Sequence, residues 1–235
     1  MNERSFTPAA GRFAPVRLYD PVVALTRERL WRSLVAMHVA PRPEDVVVDV
    51  GCGTGSLAVL LKRVEPRATV IGVDPDPEAL AVARRKAAAA VAAGTSASTS
   101  ASTSASTSGG TPEWRTGMGD DLAAVVGAGT ADTVVSSLVL HQCPVPMKRA
   151  VLAAMHETLR PGGKLVIADY GKQRTAAMRL AFRFVQLADG KADTQPNADG
   201  ILPRLIAAAG FQDVRESETV ATVTGSLSLY TARRP

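Results

Sequence analysis

The sequence predicts an α/β protein built on a mostly parallel sheet, and three observations carry that expectation. Short β-branched runs, VVVDV at 46–50 and TVIGV at 69–73, read as strands buried on both faces. Helical patterns follow each of them, so strand and helix alternate as in right-handed β-α-β crossovers. Two extended segments close the chain, at 213–222 and 226–232. The intervening Thr224-Gly225 predicts an antiparallel pair.

The elements follow in order. Residues 1–15 read as a loose arm. From Asp20 to Ala40, Val23, Leu25, Leu30, Leu34 and Met37 suit one or two short helices, interrupted by Pro41 and Pro43. After the first strand, Leu57, Leu60 and Leu61 lie three and four positions apart and make a helix stripe. Asp76-Pro77-Glu78 then offers a capping carboxylate, a proline where no amide partner is missed, and an acid in the first turn. Helix formers continue to Gly94. Residues 94–110 are a near-repeat of Ser, Thr and Ala with no large apolar side chain to offset the entropy of ordering, which predicts a mobile loop.

DTVVSSLVL at 132–140 is the next strand, running on past Ser136 and Ser137 into a ligand-side loop or helix start. A helix over 146–159 places Val151, Leu152, Met155 and Leu159 on its inner side. Arg160-Pro161-Gly162-Gly163 stops it before the strand KLVIADY. Residues 173–188 predict another helix, with Ala177, Leu180, Ala181, Phe184 and Leu187 facing one way. The last helix is expected over 201–211.

Composition narrows the function classes. Hydrophobic residues make up 46% against 21% charged, so a packed core is expected rather than global disorder. The net charge of +5 comes from scattered Arg and Lys mixed with acids, with neither a basic block nor zinc-ligand spacing, and this argues against nucleic-acid binding. No apolar run is long enough to span a bilayer, and no secretory signal opens the chain. With two cysteines, Cys52 and Cys143, a disulfide framework is not expected, and a cytoplasmic location is. No His/Cys/acid cluster calls for a metal.

The densest chemical signal is Asp49-Val50-Gly51-Cys52-Gly53-Thr54-Gly55, between a buried strand and a striped helix. Such glycines turn the backbone sharply and let a ligand approach main-chain atoms at a helix amide end. The third glycine comes one residue too early for the G-x-G-x-x-G pyrophosphate fingerprint. Asp49, two positions before the first glycine, suits a cationic amine better than a pyrophosphate. Asp74 ends the second strand, where a carboxylate can accept hydrogen bonds from both ribose hydroxyls.

These segments resemble the class I, Rossmann-like, S-adenosylmethionine-dependent methyltransferases, in particular the small-molecule group that includes ubiquinone/menaquinone-type C-methyltransferases. The matching stretches are VVVDVGCGTG at 46–55, VIGVDPDPEAL at 70–80, GD at 119–120, ADTVVSSLVLHQC at 131–143 and LRPGGKLVIADY at 159–170. They follow the family's order over roughly residues 40–170. The resemblance implies a seven-stranded, mostly parallel sheet with one antiparallel strand and helices on both faces. It also implies S-adenosyl-L-methionine as cofactor. Gly51, Cys52, Gly53 and Gly55 would line its methionyl portion and Asp49 would orient its amino group. Asp74, beside Pro75, would hold the ribose. Asp120 would reach the adenine, with Asp121 the neighbouring alternative, and Ser136 would touch the methionyl end. Two features depart from the family pattern: the Ser/Thr/Ala insert, and the lack of Pro-aromatic packing after Asp120.

The expected activity is in-line methyl transfer to a small, apolar or aromatic acceptor, in which alignment and desolvation do much of the work. His141 is the candidate general base, and Tyr19, His141, Asp169 and Tyr170 the candidate acceptor contacts. His38 and His156, within predicted helices, are expected to be structural or surface residues. One methyltransferase domain is expected over 1–235, as monomer or homodimer. Residues 1–40 and 170–200 would contribute to the acceptor site. Two alternatives stand beside this reading: a non-catalytic cofactor-binding scaffold, and an NAD(P)-dependent oxidoreductase.

Overall fold

A computed structural model describes residues 27–98 and 110–235. Tyr19 and most of the predicted N-terminal arm lie outside the described residues, as do positions 99–109 of the Ser/Thr/Ala segment. The elements are α1 (Glu28–Val39), β1 (Val46–Val50), α2 (Ser56–Val64), β2 (Thr69–Asp74), α3 (Pro77–Ser98), β3 (Glu113–Thr116), α4 (Leu122–Val126), β4 (Ala131–Ser137) and α5 (Val145–Thr158). They continue with β5 (Leu159–Tyr170), α6 (Ala176–Asp189), α7 (Lys191–Ala198), α8 (Leu202–Ala208), β6 (Gln212–Thr222) and β7 (Gly225–Arg233).

The strands form one seven-stranded sheet in the order β3-β2-β1-β4-β5-β7-β6. β7 alone runs antiparallel to its neighbours β5 and β6; the other pairings are parallel. The chain goes from β1 outward to β2 and β3, then returns to the other side of β1 as β4. That reversal opens a crevice beyond the carboxyl ends of β1 and β4, where open α/β sheets bind ligands.

Period-two alternation along the strands divides the core into two layers. Val47, Val70, Val135 and Val166 join Trp31 and Val35 of α1, Leu57 and Leu61 of α2, and Phe182 and Val185 of α6. Val48, Ile71, Val134, Leu165 and Ile167 join Leu122, Leu152, Met155 and Leu205 on the opposite face. The capping signal at Asp76 acts as expected: its Oδ1 accepts from the amides of Glu78 (2.8 Å) and Ala79 (3.3 Å). Lys164 of β5 donates to the carbonyls of His38 and Val39, both at 2.9 Å, and so ties off the last turn of α1. Since Lys164 lies in the first half of β5, α1 begins near the carboxyl edge of the sheet.

Three elements differ from the sequence reading. α3 does not stop at Gly94 but runs to Ser98, because a glycine ends a helix only when the backbone turns left-handed there. β5 begins at Leu159, pairing with Ala131 ahead of a register shift, rather than at Lys164. α6 forms where expected, but its Leu180, Phe184 and Leu187 face solvent; Phe182 and Val185 make the buried face. Among the described residues no helix is long and apolar enough to cross a membrane.

Leu152 of α5 is fully buried against the sheet. Leu152→Ala should lower unfolding stability by about 2–5 kcal/mol, read from urea midpoints with the slope unchanged.

Candidate functional site

β1 delivers the glycine turn to the crevice. The amides of Gly51 and Cys52 both donate to the Val73 carbonyl, at 2.8 and 3.1 Å, so the turn is hung on the end of β2. Gly51 and Gly53 have φ of +69° and +52°, a conformation that side chains disfavour. The two positions differ in what surrounds them. A Cβ on Gly51 would strike Val139, whereas one on Gly53 would meet nothing within 4 Å. Gly53 is buried, yet space for a Cβ is left beside it, and Val139 walls the turn at Gly51.

Asp74 braces this turn. Its Oδ2 accepts from the Gly53 amide at 2.8 Å and its Oδ1 from the Asp76 amide at 2.9 Å. Burial pushes its pKa up while those two amides pull it back. Each oxygen keeps a further lone pair for another donor.

Asp49 has no such support. It is 0% exposed, and neither carboxylate oxygen has a hydrogen-bond partner. Burial raises its pKa to about 7; the Arg32 guanidinium and, more weakly, the Ala58 amide oppose that, and the nearby Asp74 adds to it. A buried, unpaired carboxylate is costly unless a cation or hydrogen-bond donor meets it.

The neighbouring candidates fall around the same edge. Cys52 is buried, and burial raises its thiol pKa well above the ordinary range, so it stays protonated. Pro75 is half-buried between the two acids. Ser136 is buried, and its hydroxyl donates to the Val50 carbonyl at 2.8 Å, joining β4 to β1. Asp120 is half-buried with one oxygen shielded and unpartnered, whereas Asp121 is exposed. Its neighbour Gly119 lies against Val50, which brings this turn to the end of β1.

The other half of the site is built on Asp169, near the end of β5. Its Oδ2 accepts from the amides of Val139 (3.1 Å), Leu140 (2.6 Å) and His141 (3.3 Å). Its Oδ1 contacts His141 Nδ1 and accepts from the Tyr170 amide, both at 2.7 Å. The carboxylate thus holds the turn after β4, which begins with Leu138 at φ +56°. His141 Nε2 lies 3.3 Å from Asp189 Oδ2, at the end of α6. Burial works against the imidazolium, but Asp169 and Asp189 outweigh it and raise the pKa to about 9. Tyr170 sits in the core, edge-on to His141 and tilted against Phe182, with its hydroxyl 2.7 Å from Thr224 Oγ1. Burial pushes that phenol up to about 12. Asp49, Asp74, the glycine turn, Asp120 and Ser136 therefore meet at the ends of β1, β2 and β4. His141, Asp169 and Tyr170 form an adjacent cluster. His38 and His156 lie on α1 and α5, within helices as read from the sequence.

Sequence reasoning missed Lys148. It is fully buried, and its ammonium donates to the carbonyls of Leu140 (2.5 Å), Cys143 (2.6 Å), Asp193 (2.9 Å) and His141 (3.3 Å). It ties the turn after β4 to α7. A signal was present: Lys148 precedes Val151, Leu152 and Met155 by three, four and seven residues, so it lies on the inward stripe of α5. Asp189, Arg32 and Trp114, whose ring packs against Gly55 and Gly72, carried no comparable signal. Among the described residues, no group of three His, Cys, Asp or Glu is placed to hold a metal ion.

An open parallel sheet with a glycine turn and two acids at its switch point defines a Rossmann-like ligand-binding protein. Residues 48–165 match the family described as "Methyltransferase domain", half of the chain, and the protein belongs to that family. It is 30% identical to demethylmenaquinone methyltransferase of Thermus thermophilus over 71% of this chain and 66% of that protein. It is 28% identical to 2-phytyl-1,4-naphtoquinone methyltransferase of Synechococcus elongatus over 85% of this chain and 84% of that protein. The chain spans from 38% to 66% of the length of four of the curated relatives it matches. Its fold is shared by magnesium protoporphyrin IX methyltransferase from Synechocystis, solved with bound SAH, at a TM-score of 0.64 and 20% identity; that likeness covers 97% of this chain and 91% of that one. These comparisons give no support to the oxidoreductase alternative.

The His141 cluster has a pH signature. Its pKa is raised on folding from 6.5 to about 9, so the stability it contributes is fully present below pH 6.5 and is lost as pH rises through 9. Urea midpoints of the wild type should fall across that window, and His141→Gln should lack this component of the slope. Imidazole NMR should find His141 titrating near 9, and lower in Asp189→Asn.

Proposed function

We propose that this protein transfers the methyl group of S-adenosylmethionine to a small, apolar aromatic acceptor. The observation that carries the reading is Asp49: a fully buried carboxylate with two unpartnered oxygens, directly below the glycine turn. A pyrophosphate would face this acid unfavourably, whereas an amino group would satisfy it. Asp74 retains lone pairs for ribose hydroxyls, and the shielded free oxygen of Asp120 suits an adenine amine. These residues fit the cofactor.

When bound, the sulfonium supplies a methyl already activated for displacement. The chain's own residues then bind, orient and exclude water. Asp49 holds the amino end, the Gly53 backbone permits close approach, and Val139 walls one side. Ser136 keeps β4 against β1 through its bond to Val50. His141 enters this reading as a proton-bearing clamp rather than a general base: at a pKa near 9 it has no free lone pair at neutral pH, and both its nitrogens face carboxylates. The acceptor accordingly brings its own nucleophilicity, as an electron-rich ring carbon or an ionised phenol does. Acceptor contacts come from the turn after β4 and from residues 170–200. The named activities of the two quinone-methylating relatives support an apolar aromatic acceptor.

Titration calorimetry with S-adenosylhomocysteine tests the cofactor half. Asp49→Asn should weaken binding by roughly ten- to a hundred-fold, the scale of a lost charge-assisted hydrogen bond. Because Asp49 has a pKa near 7 when unliganded, binding at pH 7 should release about half a proton in the wild type and none in Asp49→Asn. Comparing buffers of different ionisation heat measures this. An acceptor screen should then find transfer to reduced naphthoquinones and not to highly charged acceptors. Tight binding of NAD(P) without S-adenosylhomocysteine would overturn the reading, and binding without transfer to any acceptor would reassign the chain as a scaffold.

A further inference from the structure

Helix α6 has apolar residues on both sides. Phe182 and Val185 are buried in the core, where they satisfy the helix's inward face. On the other side Leu180, Phe184 and Leu187, spaced i, i+4 and i+7, are 61%, 70% and 79% exposed. The complete set of exposed residues on this helix is Ala176, Ala177, Arg179, Leu180, Arg183, Phe184, Leu187 and Ala188. That face holds only apolar residues and two arginines, with neither an acid nor a neutral polar side chain. A solvated face carries charged and polar residues, and an exposed apolar patch of this kind marks an interaction site.

The charges select the partner. Arg179 donates to the Gln173 carbonyl, and among the described residues neither arginine forms an ion pair. Asp189, the acid at the end of the helix, faces His141. Two copies packed through this face would bring four arginines together with no acid on the face to match them, and like charges disfavour such a contact. An anionic lipid surface meets both requirements: its acyl region takes the leucines and the phenylalanine, and its headgroups take the arginines. The helix is 14 residues long, enough to lie in the interface, and no described helix is suited to span it.

We infer that the outer face of α6 is a docking surface for anionic membranes, with Leu180, Phe184 and Leu187 inserting and Arg179 and Arg183 contacting headgroups. The helix ends at Asp189, against His141, so the docked face lies on the element that covers the proposed acceptor side of the site. An apolar acceptor held in a bilayer would then reach the protein at that side.

The test uses the full chain without cofactor or acceptor, so its outcome is independent of methyl transfer. Protein is sedimented with phosphatidylcholine vesicles, and with vesicles in which about one third of the lipid is phosphatidylglycerol. The wild type should bind the anionic vesicles on the order of tenfold more tightly, and lose this preference when salt is raised from about 0.1 M to about 1 M. Leu180→Gln/Phe184→Gln/Leu187→Gln should lose binding to the anionic vesicles, and Arg179→Gln/Arg183→Gln should lose about tenfold on them alone. Thermal midpoints confirm that both variants fold, and Leu187→Gln alone, expected to weaken binding, serves should the triple variant fail. No binding by the wild type, or equal binding by a folded triple variant, would overturn the inference. A wild-type dimer that the triple substitution dissociates in sedimentation equilibrium would also overturn it, by giving the face to a second copy.

Discussion

Three of the buried carboxylates at the carboxyl edge of the sheet, Asp49, Asp74 and Asp169, set the terms for what is built above it. Burying an acid costs several kcal/mol unless donors replace its water, and the three are met to very different degrees. Asp169 takes four backbone amides and an imidazole, Asp74 takes two amides, and Asp49 takes none. The series separates structure from function. Asp169 has spent its capacity on shaping the turn after β4. Asp74 is divided, bracing the glycine turn through Oδ2 and its own turn at Asp76 through Oδ1, with a lone pair left on each oxygen. Asp49 is buried with neither oxygen hydrogen-bonded, and the Arg32 guanidinium offsets only part of its desolvation.

That division also explains why the two halves of the site do not compete. The turn after β4 is fixed from below by Asp169 and from the side by Lys148, whose four carbonyl acceptors link it to α7. Val139, carried by the same turn, is thereby set against Gly51. The wall beside the glycine turn and the backbone around His141 are consequently one piece, held by one anion and one cation. A change at Lys148 should be felt on both sides, although the residue belongs to neither.

Much of this was legible before any coordinates. VVVDV and TVIGV could pack only as interior strands, and Asp76-Pro77-Glu78 had the chemistry of a helix start, so the order of elements followed from local patterns. The glycine turn and its flanking acids were equally plain, because each type is needed close to its place in the chain. What stayed hidden depends on contacts distant in sequence. His141 and Asp169 are 28 residues apart, and His141 reads as a neutral base until Asp169 and Asp189 are seen on either side of it. Tyr170 and Thr224 are 54 residues apart, and the contact of their hydroxyls is likewise invisible in the local pattern. Which face of α6 is buried was not legible for a different reason. The helix has two apolar stripes, periodicity alone cannot rank them, and the core took the pair Phe182 and Val185 instead of the longer outer run.

The leftover stripe is the most informative of these differences. Burying Phe182 and Val185 already anchors α6, so Leu180, Phe184 and Leu187 are not needed to hold the helix in place. In water they are a liability, since an uncovered apolar strip invites non-specific association. They sit on the same helix whose last residue faces His141. Asp189 contacts His141, His141 contacts Asp169, and Asp169 accepts from the amide of Val139, so a chain of polar contacts runs from the end of α6 to the turn that walls the glycine loop. The outer stripe of α6 and the contacts of Asp189 therefore lie on one helix, one facing solvent and the other facing His141.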